Sequence, residues 1–198
     1  MNNSGYLNPI FINGTIFFKG GASGEAKLNF NRYSNEVLFI SQKGDTLSVA
    51  QPETVSYVQI GTETLYFYQN LILLKITHNR IAPDLYVGQI VSYIGKEKKG
   101  AFGTYSAVGS INSAPSVSTP GELTSRISPD ENIIYKINTY YYLSDSSNNF
   151  YPAKKIQFSK RFPQYAKETS TFFKTHEIDF NKKENLLQVT NYLQGLKP

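Results

Sequence analysis

The amino-acid sequence predicts an α+β fold. It is mainly antiparallel β, as a meander, a sandwich or a barrel-like sheet, with two C-terminal helices. Turn residues recur about every 8–12 residues in the first half of the chain, which is typical of antiparallel strands. The 15 tyrosines and 13 phenylalanines favour pleated, half-buried surfaces. Near the C-terminus, apolar residues recur at helical spacing instead.

Short strands are predicted throughout residues 10–93. Ala26, Leu28 and Phe30 alternate with polar neighbours, which is the period-two pattern of a strand with one buried face. Turns are expected at Lys43-Gly44-Asp45 and at Gly61-Thr62, because glycine adopts a positive φ at little steric cost. The segments with alternation or a short apolar run are 16–18, 26–30, 37–41, 47–50, 55–60, 65–68, 71–77 and 85–93.

The middle of the chain differs in composition from both flanks. Residues 96–132 are rich in glycine and serine and hold few large apolar side chains. Such a segment buries too little surface to offset an ordering entropy of roughly 1–2 kcal/mol per residue. We therefore predict an antiparallel β domain over 1–95, a Gly/Ser-rich loop or linker over 96–132, and a β-hairpin plus two-helix region over 133–198.

The C-terminal region is predicted to begin with a hairpin over 133–152. A first helix is expected from Pro163, because a first helical turn does not need the N–H that proline lacks. A second helix is expected from Asn181, with Asn181 as N-cap and Glu184 at the third helical position. Helices of this length are marginal alone in water, so both must pack on the sheet or on each other.

Composition excludes several classes of protein. The net charge of +5 is unevenly placed, because residues 1–95 balance to zero and the excess lies in 96–198, but nucleic-acid binders concentrate basic residues more strongly than this. The absence of cysteine excludes disulfides and thiolate metal sites. No run approaches the roughly 18 apolar residues of a membrane-spanning helix. We therefore expect no nucleic-acid partner and no transmembrane span.

The sequence contains no recognisable catalytic or cofactor signature. No Gly-x-Ser-x-Gly elbow, Walker sequence or Gly-x-Gly-x-x-Gly loop occurs. The only histidines are His78 and His176, and neither stands at metal-ligand spacing from other ligands. A serine paired with one of them stays open, but nothing singles out which serine. We predict no catalytic residue, no metal and no cofactor.

The densest aromatic group in the sequence precedes a basic segment. One interpretation is that these tyrosines fill the core and pair across strands. The other is that the exposed ones form a platform that stacks on sugar rings or bases, with a basic rim beside it. The residues of this possible ligand or partner surface are Tyr140, Tyr141, Tyr142, Tyr151, Lys154, Lys155 and Arg161.

Several short motifs succeed one another along most of the chain. They are Tyr6-Leu7-Asn8, Gly14-Thr15-Ile16-Phe17-Phe18, Leu28-Asn29-Phe30-Asn31, Val58-Gln59-Ile60-Gly61, Gly100-Ala101-Phe102-Gly103, Tyr141-Tyr142-Leu143, Phe172-Phe173 and Asn191-Tyr192-Leu193. In this order they resemble a family of uncharacterised exported proteins of Bacteroidota. The resemblance implies a signal peptide absent from this sequence, and a periplasmic or outer-membrane-associated location. It implies no established activity and no catalytic residues.

Three functions are compatible with these observations. The first is a non-enzymatic protein of the cell envelope that binds a protein or a cell-surface partner. The second is a glycan-binding module that uses Tyr140, Tyr141 and Tyr142. The third is a hydrolase with an unrecognised site, acting on cell-wall or glycan material.

Overall fold

A computed structural model describes residues 5–78, 83–99, 105–107, 131–145 and 147–196. It confirms the α+β fold, with mostly antiparallel strands and helices near the C-terminus. The strands are β1 (Ile12–Phe18), β2 (Ser23–Asn31), β3 (Glu36–Ile40), β4 (Thr46–Ser48), β5 (Val55–Ile60), β6 (Glu63–Tyr68), β7 (Leu71–Lys75), β8 (Asp84–Lys99), β9 (Tyr105–Ala107), β10 (Glu131–Ser144) and β11 (Phe150–Pro152). The helices are α1 (Lys155–Arg161), α2 (Ala166–Thr175) and α3 (Lys183–Gly195).

The described residues fall into two compact units that alternate along the chain. The first unit contains residues 5–12, 26–50, 89–99, 105–107 and 131–138. The second contains residues 13–25, 51–78, 83–88, 139–145 and 147–196. The predicted division at 95 and 132 stays a prediction, because most of the segment 96–132 lies outside the described residues. The two ends of this segment belong to strands, since β8 continues to Lys99 and β10 begins at Glu131.

In the first unit, β2, β3 and β4 form an antiparallel meander. Phe30 pairs with Val37 across the first hairpin, and Phe39 pairs with Leu47 across the second. Gly44 lies in the second turn with a φ of 89°, a conformation that glycine adopts without steric cost. The predicted hairpin at Lys43-Gly44-Asp45 is confirmed.

A buried asparagine fastens the N-terminal segment to β2 in the first unit. The Asn29 side chain is 1% exposed. Its Oδ1 accepts from the Asn8 N–H (3.1 Å), while its Nδ2 donates to the carbonyls of Asn8 (2.8 Å) and Ile10 (3.2 Å). The amide group thereby satisfies backbone groups that have no strand partner, as burial of polar groups requires.

In the second unit the strands are ordered β11-β10-β8-β7-β6-β5-β1. The consecutive strands β5 to β8 form the meander that the turn spacing predicts. Gly88 of β8 lies opposite Leu73 of β7. A Cβ at Gly88 would lie 2.4 Å from Leu71 Cδ2 and 2.9 Å from Leu73 Cδ2. Only a residue without a side chain lets these leucines pack over β8.

The helices cover one face of the second unit's sheet, which is one of the two packing arrangements that their short length predicts. Leu85 of β8 and Leu143 of β10 are fully buried against helical side chains. The buried members of this core are Leu85, Leu143, Ala153, Phe158, Phe162, Tyr165, Phe172, Leu186, Val189 and Leu193. Pro163 opens a 3₁₀ turn, Pro163–Tyr165, that leads into α2. None of the described helices is both long and apolar enough to cross a membrane.

Two details of the helical region differ from the sequence predictions. Asn181 is not the N-cap of the last helix, so that prediction is wrong. Asp179 Oδ1 instead accepts from the backbone N–H of Asn181 (2.9 Å), which forms a turn, and α3 starts at Lys183. Helix α1 was not predicted. Its apolar residues show no helical stripe, because Phe158 is buried whereas Ile156 is 67% exposed.

Candidate functional site

The sheet face opposite the helical core in the second unit is built from aromatic rings. Because side chains alternate along a strand, Tyr66 and Tyr68 of β6 emerge on the same side. The ring of Tyr66 lies 5.7 Å from Tyr57, 5.4 Å from Tyr86 and 5.6 Å from Phe150, measured between centroids. We call this cluster the aromatic face. Its members are Phe17, Tyr57, Tyr66, Tyr68, Tyr86, Tyr142 and Phe150.

The β10–β11 hairpin supplies two rings to the aromatic face. Tyr142 contacts Tyr68 edge-to-face at 5.5 Å, and Phe150 contacts Tyr68 in the same way at 5.4 Å. Phe150 also meets Tyr86 at 4.9 Å with an interplanar angle of 85°. Edge-to-face contacts of this kind place a positive ring edge on a negative ring face, which stabilises the arrangement.

Three hydroxyl groups at the aromatic face are linked by hydrogen bonds. Ser144 Oγ donates to Tyr86 Oη (3.3 Å), and the Tyr86 hydroxyl is hydrogen-bonded to Tyr66. Burial raises the pKa of both tyrosines, and the negative charge of Asp84 raises it further. Both hydroxyls therefore stay protonated at neutral pH and serve as hydrogen-bonding groups rather than as bases.

The loop that joins β10 to β11 is held by one carboxylate. Asp145 Oδ1 accepts from the backbone N–H groups of Ser147 (2.9 Å) and Asn149 (3.0 Å), and Oδ2 accepts from Tyr151 Oη (3.1 Å). Burial opposes the ionisation of Asp145, but these hydrogen bonds together lower its pKa below the usual value. Asn148, with a φ of 58°, completes the turn.

A cavity of about 530 Å³ lies against the aromatic face and this loop. Its size falls within the roughly 300–1,000 Å³ of small-molecule sites. The rings of Tyr66, Tyr68 and Tyr151 supply apolar surface. Asn148 and Asn149 supply amide groups, of which the Nδ2 of Asn149 already donates to Asp145. The lining residues are Lys19, Val55, Ser56, Tyr66, Phe67, Tyr68, Ser147, Asn148, Asn149, Phe150 and Tyr151.

An arginine covers one side of a ring that lines the cavity. The guanidinium carbon of Arg161 lies 3.9 Å from the centroid of the Tyr151 ring. A cation over an aromatic face is attracted by the ring quadrupole. Arg161 Nε also donates to Gln157 Oε1 (3.4 Å), one turn earlier in α1. These contacts restrict the orientation of Tyr151 at the cavity wall.

The structure separates the tyrosines of the sequence-predicted surface. Tyr142 belongs to the aromatic face, and Tyr151 lines the cavity. Tyr141 points to the opposite side of the sheet, where it packs against the helical core. Tyr140 is 44% exposed and does not line the cavity. The alternation of β10 therefore divides the three consecutive tyrosines between two faces.

The basic residues of the predicted surface are also divided. Arg161 lies at Tyr151, as described above. Lys155 Nζ lies 5.7 Å from the ring of Phe173, a residue packed against the helical core. Lys154 is exposed at the start of α1. Of the predicted set, the structure brings Tyr142, Tyr151 and Arg161 to the side of the cavity.

Sequence reasoning missed most of the cavity lining. The sequence places Ser56, Tyr66, Tyr68 and Phe150 in predicted strands or the predicted hairpin and indicates no functional role for them, and it assigns Lys19 to no strand or site. After the turn at Gly61-Thr62, strand alternation places the side chains of Tyr66 and Tyr68 on one face of the strand. This spacing is the local signal that indicates an aromatic face. The pairing that brings β6 beside the β10–β11 loop is a long-range contact, and no local pattern encodes it.

The two histidines lie away from the cavity lining. His176 stacks on Phe172 with centroids 4.2 Å apart, just after α2, and His78 is exposed. Within the described ranges, no three residues among His, Asp and Glu lie together as a metal site would require.

Comparison with known proteins gives no match for this chain. No protein-family model, no curated protein and no solved structure is significantly similar to it. The resemblance to exported proteins of Bacteroidota therefore stays a prediction.

Proposed function

We propose that this protein binds a carbohydrate in the cavity beside the aromatic face, without catalysing a reaction on it. The observation that carries the proposal is the combination of rings and amides at one cavity, namely Tyr66, Tyr68 and Tyr151 beside Asn148 and Asn149. A pyranose ring has C–H groups that pack on an aromatic face, and hydroxyl groups that need hydrogen-bonding partners. Both types of partner are present at the cavity wall.

The rings and the amide groups of the site are held in place by contacts within the protein. The rings are held by edge-to-face contacts and by buried neighbours, so they present a preorganised surface. The amides lie on a short loop that Asp145 holds in one conformation. A rigid aromatic wall with an adjacent polar loop reduces the entropy cost of ordering the site on binding.

The two other functions considered from the sequence have less support. A glycoside hydrolase of the common type needs two carboxyl groups roughly 5–10 Å apart. Among the described residues that line the cavity, none is acidic. A protein partner would need an extended surface, whereas Tyr66, Tyr68 and Phe150 of the aromatic face line a cavity of small-molecule size.

We propose a location in the cell envelope, supported by the resemblance of the motif succession to exported proteins. Fractionation of cells that express the full gene tests this location. Detection in the periplasmic or outer-membrane fraction is expected, and exclusive recovery from the cytoplasm would contradict it.

The binding proposal is tested by substitution of a cavity ring. We expect Tyr68→Ala to weaken glycan binding about tenfold, taking as a guide the loss of about 1–3 kcal/mol when an aromatic ring that stacks on a nucleobase is removed. Binding is measured by isothermal titration against a panel of neutral and acidic polysaccharides and their oligomers. Tyr140→Ala is the matched control, since Tyr140 is an exposed tyrosine outside the cavity lining.

A second variant keeps the test independent of folding. Tyr68→Leu retains apolar volume but has no ring, so a folded Tyr68→Leu protein should show the same loss of binding. Retention of full affinity in both Tyr68 variants, or an equal loss in Tyr140→Ala, would refute the proposed site.

A further inference from the structure

The charge of the cavity lining is of one sign. Lys19 is the only charged residue among the described residues that line it. The remaining lining consists of aromatic and apolar side chains together with serine hydroxyls and asparagine amides. A neutral lining with one cation discriminates between neutral and anionic ligands by electrostatics.

Lys19 is anchored at the cavity through its backbone. It follows β1 directly, and its N–H donates to the carbonyl of Thr54 (2.9 Å). Its side chain is exposed, and no carboxylate in the described part of the chain forms an ion pair with it. The ammonium group can therefore turn toward an anionic ligand without breaking an internal ion pair.

The second cation at this side is Arg161, on the ring of Tyr151. Its contacts among the described residues are with an aromatic ring and an amide oxygen, so its charge is not neutralised by a bound carboxylate. A guanidinium group beside the cavity adds to the positive potential that Lys19 creates there.

Asp145 is an acidic residue that is hydrogen-bonded to residues of the cavity wall. Asp145 bonds Tyr151 through Oδ2, and its oxygens also accept from Ser147 and Asn149. The carboxylate is not among the lining residues. Its hydrogen-bond donors themselves line the cavity, so its negative charge offsets part of the positive potential there, which then depends mainly on Lys19.

We infer that the preferred ligand is an acidic saccharide that carries a carboxylate, such as a uronic acid unit. The inference rests on the proposed carbohydrate function and adds the sign of the ligand's charge. The sugar ring packs against the tyrosine wall, and the carboxylate is attracted by Lys19, with Arg161 contributing to the same potential.

The experiment compares two ligands that differ in one group. Methyl β-D-glucuronide has a carboxylate where methyl β-D-glucoside has a hydroxymethyl group. Their affinities are measured by NMR titration of the labelled protein, at low salt and at about 1 M salt, where the Debye length falls to about 3 Å. Acetate is titrated separately, because a site for any free carboxylate would bind it equally well.

We expect the glucuronide to bind about two- to fivefold more tightly than the glucoside at low salt, as for an exposed ion pair. The difference should disappear at high salt and in Lys19→Gln, because the glucuronide loses the attraction of the ammonium group and its affinity falls to that of the glucoside. Lys43→Gln, which removes an exposed lysine from a hairpin of the first unit, should leave the preference intact.

Three results would overturn the inference, and they are distinguishable. Equal affinity for both glycosides removes the preference for acids but leaves carbohydrate binding in place. Binding of acetate as tight as that of the glucuronide replaces the saccharide with a simple anion. Binding of neither glycosides nor their oligomers removes the proposed function as well.

Discussion

Phe150 is the side chain on which the aromatic face depends most. It is 8% exposed, and it contacts Tyr66, Tyr68 and Tyr86 edge-to-face at 5.6, 5.4 and 4.9 Å. Phe150→Leu keeps an apolar side chain at this position but removes the ring. We therefore expect a loss of stability that comes mainly from the three ring contacts.

The expected loss follows from the number of contacts. An aromatic pair contributes about 0.5–1.5 kcal/mol beyond the area it buries. The three contacts share one ring and are not independent, so they do not add fully. We expect Phe150→Leu to lower the free energy of unfolding by about 2 kcal/mol, and the Tm by about 4–8 °C for a chain of this length.

Urea unfolding followed by circular dichroism measures this loss. Phe17→Leu is the matched control, because Phe17 is half-buried and stacks on one ring, that of Tyr57, at 4.4 Å. The control should lose about 1 kcal/mol or less. A loss in Phe150→Leu no larger than that in Phe17→Leu would refute the view that the aromatic contacts hold this face together.

Three further predictions follow from other contacts. Gly88→Ala should destabilise the protein by about 1–3 kcal/mol, measured by thermal unfolding, because the added Cβ overlaps Leu71. Asn29→Ala should increase hydrogen exchange at the amide of Asn8, which loses its acceptor, and should lower stability by about 2 kcal/mol. Asp145→Asn should destabilise the loop at neutral pH. Because the folded pKa of Asp145 is lowered, its contribution is present above the unfolded value, near 3.8, and is lost as the pH falls through the folded pKa. The difference in stability between Asp145→Asn and the parent protein should therefore shrink below about pH 4.

Each of these predictions has a control of the same chemistry. Gly95→Ala lies in the same strand as Gly88, and its Cβ meets no described atom within 4 Å. Asn13→Ala and Asp45→Asn change exposed residues. Equal effects of the two glycine variants would contradict the packing argument. Unchanged hydrogen exchange at the amide of Asn8 in Asn29→Ala would contradict the prediction for Asn29. An effect of Asp145→Asn that does not change with pH would contradict the prediction for Asp145.

Most strands could be predicted because each leaves a local pattern. The alternation of Ala26, Leu28 and Phe30 predicts β2. Glycines such as Gly44 predict turns, because a turn often needs a residue with a positive φ. The packing of the last two helices on the sheet followed from their length and apolar stripe. These features depend on residues that are neighbours in sequence.

The cavity could not be predicted in the same way. Tyr66 and Tyr151 are distant in sequence, and they meet at one cavity only because strand pairing brings β6 and the β10–β11 loop to the same side. Tyr140, Tyr141 and Tyr142 form a dense aromatic run in the sequence. A strand sends consecutive side chains to opposite faces, so sequence density does not give density in space.

A saccharide that occupies the cavity beside the aromatic face must change the environment of the backbone amides around that cavity. These changes are measured as amide chemical shifts while the ¹⁵N-labelled protein is titrated with the glycan that binds best. We expect the largest shifts on residues that line the cavity, namely Ser56, Asn148, Asn149 and Tyr151. Largest shifts in β3, β4 or α3, with the cavity amides unmoved, would contradict it.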